Sequence, residues 1–93
     1  MNDARDSSDP ETRAAPPGLR ADVVVDTIGL YCPIPIIRTA EKARTLSSGQ
    51  VIEILSDDRV ILIDMPAWCR STGHGYLGFA PHEAGWRLYV RVK

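Results

Sequence analysis

The chain has 93 residues, with 11 Lys and Arg against 12 Asp and Glu and a net charge of −1. That length holds one domain, and so even a charge balance carries no signature of a nucleic-acid or membrane-surface partner. No apolar run approaches the ~20 residues of a membrane-spanning helix, and no basic stretch followed by an apolar run marks a signal peptide. The two cysteines then read as free thiols rather than a disulfide framework, and a cytoplasmic protein is expected.

Met1 to Arg20 is dominated by Asp, Ser, Arg, Ala and Pro and closes on Pro16-Pro17-Gly18. Such a composition buries too little apolar surface to offset the entropy of ordering it. The sequence therefore predicts a disordered tail over 1–20 and a folded domain over 21–93. A first strand is expected at Val23-Val24-Val25, ending near Thr27-Ile28-Gly29. From Pro33 to about Leu46 the pattern is helical, with Ile36, Ile37, Ala40 and Ala43 on one side and Arg38, Lys42 and Thr45 on the other. Ser47-Ser48-Gly49 supplies the stop. Gln50 to Ser56 is a second strand whose Ile52 and Ile54 share one face.

Strand, helix and strand with short links make a βαβ unit with parallel strands. A second helix is expected from about Arg59 to Thr72, irregular near Pro66, with Asp64 as a fresh N-cap and Gly73 as its end. Tyr76 to Glu83 and Trp86 to Val92 form a hairpin around Ala84-Gly85. The order βαβαββ predicts an α/β two-layer sandwich, a mixed four-stranded sheet with two helices on one face.

Chemistry concentrates at Tyr31-Cys32-Pro33-Ile34-Pro35. Pro33 suits the first helical position and makes Cys32 the expected N-cap. A helix N-terminus favours the thiolate, so Cys32 is a candidate nucleophile. The other candidates each have a plainer reading. Cys69 beside Trp68 is expected to be buried. His74, between Gly73 and Gly75, serves either a terminal carbonyl or Cys32 as a base. His74 and His82 do not combine with the cysteines at zinc spacing, and no metal is expected. Asp57-Asp58 could be an acid/base pair, but capping the second helix is the preferred role. Arg87, Tyr89, Arg91 and Lys93 read as a solvated sheet face rather than a nucleic-acid surface.

The run Gly29-Leu30-Tyr31-Cys32-Pro33-Ile34-Pro35 resembles the Cys-Pro-x-Pro signature of the TusA/SirA-like sulfur-carrier family. Ser47-Ser48-Gly49, Asp57-Asp58, Asp64-Met65-Pro66-Ala67-Trp68-Cys69 and Gly73-His74 resemble further landmarks of that family in order. The likeness extends from about Val23 to Val92. It implies that Cys32 bears a persulfide, with Gly29, Pro33 and Pro35 supporting the motif and no cofactor. It also implies a protein sulfur donor, such as a cysteine desulfurase or rhodanese-type protein, and a protein acceptor serving tRNA thiolation, cofactor synthesis or sulfur oxidation. Tyr31 stands where a basic residue is frequent, and Arg59 where a proline often follows the acidic pair. Ile34 falls on the outward side of the helix with Arg38 one turn on, which suggests a docking surface with Asp57 and Asp58 nearby. Two other readings stay open: an RNA- or protein-binding module of the same fold, and a thiol redox or regulatory protein using Cys32 with Cys69.

Overall fold

A computed structural model describes residues 13–93. Its elements are β1 (Val23–Asp26), α1 (Ile34–Ala43), β2 (Val51–Ser56), α2 (Ile61–Thr72), β3 (Gly75–His82) and β4 (Gly85–Arg91). The sheet runs β1-β2-β4-β3, with β1 parallel to β2 and the other pairs antiparallel. This is the expected βαβαββ order and mixed sheet. β2 and β4 form its centre because both alternate cleanly. Ile52, Ile54, Leu88 and Val90 are fully buried on the face beneath the helices. Ala43 of α1 and Ile61, Met65 and Cys69 of α2 join the same core, which places both helices over one face.

Several details depart from the expectations. α1 starts at Ile34 with Pro33 as its N-cap residue, so Cys32, the expected cap, lies one residue before the actual one. Pro35 occupies the second helical position, where a missing N–H costs nothing. The buried stripe of α1 is Pro35, Thr39 and Ala43, not the one through Ile37, which is 44% exposed. A threonine can face the core here because its Oγ1 donates to the Pro35 carbonyl at 2.8 Å, leaving its methyl for packing. α1 ends three residues before Leu46, since the Thr45 and Leu46 amides bond three residues back rather than four.

α2 begins before Asp64, with Val60 as its N-cap residue, so Asp64 is a first-turn residue and not a cap. Pro66 sits buried inside this helix. On the sheet's other face Tyr89 is only 6% exposed, so that face is not uniformly solvated.

The expected disordered tail falls mostly on residues 1–12, outside the described residues. Arg13 to Ala15, however, lies against β3, with Ala14 bridged in parallel to Phe79. Backbone groups on an outer strand are free to pair, and composition does not report that opportunity.

Candidate functional site

Cys32 sits in the connection from β1 to α1. The chain leaves β1 with Thr27, whose N–H and Oγ1 both donate to the Leu55 carbonyl, at 2.9 and 2.6 Å. Gly29 then turns it with φ of 85°, a conformation that L side chains rarely adopt. Tyr31, Cys32, Pro33 and Ile34 form a tight turn closed by the Ile34 amide on the Tyr31 carbonyl at 2.9 Å, and the Cys32-Pro33 peptide is cis.

The acidic pair after β2 grips this loop from below. Asp57 Oδ1 accepts from the Gly29 amide at 3.0 Å. Asp58 Oδ2 accepts from the Cys32 amide at 2.8 Å, while its Oδ1 accepts from the Val60 amide at 3.1 Å. Asp58 thus organises the entry to α2, as a cap was expected to, and with its other oxygen fixes the backbone of Cys32. Gly85 underlies this pair: a Cβ there would collide with the Ser56 carbonyl oxygen and the Asp57 backbone.

The thiol meets a third carboxylate. Cys32 Sγ donates to Asp64 Oδ2 at 2.6 Å. That hydrogen bond to the neutral thiol is the main cause raising the Cys32 pKa, reinforced by desolvation and by the charges of Asp64 and Asp58. The expectation of a thiolate favoured by the helix end is therefore corrected. Cys32 stands one residue before the cap, and nearby carboxylates outweigh the partial charge of the first turn. Cys32, Pro35, Ile36, Asp58, Ile61 and Asp64 together line a narrow cleft between the starts of the two helices.

The β1–α1 connection and the starts of both helices, which carry this cleft, also expose large apolar side chains. Tyr31 is 68% exposed, Ile63 54%, Val60 47%, Ile28 46% and Ile34 36%. Arg38 is exposed one turn along α1. Asp57 and Asp58 hydrogen-bond the Cys32 loop rather than standing free on the surface.

The remaining candidates lie elsewhere. Cys69 is a free thiol, buried in the core, and burial pushes its pKa up to about 12. His74 follows the left-handed C-cap Gly73, about 15 Å along α2 from Asp64 at 1.5 Å per residue. Its ring lies 4.9 Å from that of Trp68, and its Nδ1 accepts the Lys93 amide at 3.1 Å. Desolvation, then the charge of Lys93, lowers its pKa. It is not placed to serve Cys32 as a base. His82 closes β3 at the hairpin, and Arg87, Tyr89 and Arg91 lie on β4.

Asp64 is the site residue that sequence reasoning missed. The signal was available: a helix starting near residue 60 puts position 64 on its first turn, beside whatever the preceding acidic pair holds.

The fold has known counterparts. Residues 23–92 match the family model described as sulfurtransferase TusA. A candidate sulfur carrier protein of Archaeoglobus fulgidus is 35% identical over 69 residues, covering 74% of this chain and 94% of that protein. YrkF of Bacillus subtilis, also a candidate sulfur carrier, is 43% identical over 60 residues, or 64% of this chain. That match spans only 32% of YrkF. The crystal structure of a SirA-like protein from Desulfitobacterium hafniense superposes with a TM-score of 0.64 at 22% identity, covering 75% of this chain and 95% of that one.

Proposed function

The chain belongs to the TusA sulfurtransferase family, and from that premise we propose that it is a sulfur carrier whose Cys32 holds sulfane sulfur as a persulfide between two protein partners. The observation that carries this reading is the setting of Cys32. It is an exposed thiol on a loop held by Asp57 and Asp58, its sulfur bonded to Asp64, in a connection that with the adjoining helix starts exposes large apolar side chains.

The chemistry balances without an oxidant. Cys32 gives up its proton and its thiolate attacks the outer sulfur of a donor cysteine persulfide. The donor S–S bond breaks, the donor cysteine leaves as a thiolate, and Cys32 becomes the persulfide. In the second half an acceptor thiolate attacks the outer sulfur of that persulfide, and Cys32 leaves with the bonding pair and recovers a proton. Asp64 Oδ2 is the acceptor already bonded to the thiol proton, and it is the group we assign to hold that proton while sulfur moves.

The site needs no deep pocket, since each partner supplies its own. Ile34, with Tyr31, Ile28, Val60 and Ile63, forms the docking rim in this reading, and Arg38 lies at its edge. Asp57 and Asp58 position the loop. A redox role pairing Cys32 with Cys69 is disfavoured by the burial of Cys69 and the raised pKa of its thiol.

Incubation with a cysteine desulfurase and cysteine tests the proposal by mass spectrometry of the intact chain. The expected result is a gain of one sulfur atom confined to Cys32 and absent in Cys32→Ser. No gain with desulfurase or rhodanese-type donors would overturn it. Affinity for RNA that survives Cys32→Ser and weakens steeply with salt would favour the binding-module reading instead.

A further inference from the structure

The cleft at Cys32 is poorly built to keep a negative charge. Pro35, Ile36 and Ile61 line it together with Asp58 and Asp64, and no cation is among its lining residues. It is also too narrow to admit a water molecule. A sulfur atom is larger than a water oxygen, so an outer sulfur on Cys32 has no place inside the cleft and must project out of it.

The backbone offers an anion equally little. A helix start ordinarily presents free amides, and these bind negative charge. Beside Cys32, Pro33 and Pro35 carry no N–H, and the Ile34 amide is spent on the Tyr31 carbonyl. That leaves the Ile36 amide in the first turn of α1. At the start of α2 the amides of Ile61, Leu62, Ile63 and Asp64 all donate to the carbonyls of Asp58, Arg59 and Val60. The Cys32 amide itself is held by Asp58 at 2.8 Å. The two prolines of the motif thus strip donors from the helix end nearest the thiol.

We propose, on the reading that Cys32 carries sulfur, that Asp64 sets how loosely the sulfur is held: it favours the empty carrier over the loaded one and so drives sulfur on to the acceptor. The empty thiol donates to Asp64 Oδ2 at 2.6 Å, a bond to a charged acceptor. A persulfide is a stronger acid than a thiol and is an anion near neutral pH, so it has no proton to give Asp64. Loading breaks this hydrogen bond and sets a negative sulfur near two carboxylates, with no cation of the cleft to offset them. In the exchange itself the carrier thiol and a donor persulfide give the carrier persulfide and the donor thiol. One S–S bond breaks and one forms, and no oxidant is consumed. Asp64 acts on the position of that balance, separately from any part in moving the proton.

The test equilibrates the full chain, without oxygen, against glutathione persulfide and glutathione in set ratios, from the empty and from the loaded side. The probe is small, so partner docking does not enter. Intact mass reads the fraction carrying one added sulfur, and peptide mapping places it at Cys32. Asp64→Asn and Asp64→Ser are each expected to shift the ratio of loaded to empty carrier severalfold toward loaded. Two replacements are used, with circular dichroism on each, so that a folding defect in one does not decide the result. Glu41→Gln removes an exposed charge on α1 outside the cleft and is expected to leave the ratio unchanged. Asp64 variants whose ratio equals or falls below that of the wild type overturn the proposal while loading at Cys32 stands. So does a Glu41→Gln shift of the same size, because net charge and not Asp64 then governs. Loading of none of the proteins overturns the proposal together with the reading it rests on.

Discussion

The proton of Cys32 lies between Sγ and Asp64 Oδ2, and it rests on sulfur because the bond to Asp64 and the nearby carboxylate charges favour the neutral thiol. A thiol held this way resists oxidation while idle, since the thiolate is the form that reacts. It is also intrinsically more nucleophilic once ionised, because nucleophilicity rises with thiol pKa. Replacing Asp64 by Asn removes one charge and exchanges an acceptor-only carboxylate for an amide that can also donate to a thiolate. Asp64→Asn is expected to alkylate with iodoacetamide severalfold faster than the wild type near pH 7, where thiolate fraction decides the rate. Above the pKa of both thiols the order reverses modestly, because the wild-type thiolate is the stronger nucleophile. Rate profiles that run parallel at every pH would show that Asp64 does not govern the Cys32 proton.

At the scale of elements, the site is the junction of a loop and two helix starts. Its rigidity comes from Gly29, which turns with a positive φ and hands its amide to Asp57. No heavy atom lies within 4 Å of a Cβ built on Gly29, so substitution there is penalised by backbone strain and not by a clash. Gly29→Ala is expected to lower unfolding free energy in urea by about 1–2 kcal/mol, the cost of a left-handed non-glycine residue. An unchanged midpoint would mean that the turn relaxes to another conformation. The same junction explains what could be read from sequence. Strand alternation at Ile52 and Ile54, and at Leu88 and Val90, is a local signal, and it located the sheet and its buried face. The helix spans were legible to within a few residues. The buried side of α1 was not, because Thr39 faces the core through a hydrogen bond to Pro35 that hydrophobicity does not register. Nor was the thiol's environment, since Asp58 and Asp64 reach Cys32 across 26 and 32 residues of sequence.

Across the whole molecule the two cysteines divide reactivity from stability. Cys32 is exposed where both helices begin, whereas Cys69 is 2% exposed among Ile61, Met65 and the central strands. Burial raises the Cys69 thiol from an ordinary 9.0 to about 12, so the folded state holds a proton that the unfolded chain releases earlier. Its contribution to stability is complete below pH 9.0 and is lost as pH climbs from there toward 12. Tyr76, in the same core and also raised chiefly by burial, acts with the same sign at higher pH. Thermal unfolding followed between pH 8 and 11 is therefore expected to show a falling midpoint in the wild type. Cys69→Ala starts lower at pH 8, because removing a buried sulfur leaves a cavity. Its midpoint then falls less steeply over the same range, having no thiol to ionise, while Cys32 contributes equally to both chains and cancels. Equal slopes in the two proteins would place the alkaline sensitivity elsewhere and refute the role given to Cys69.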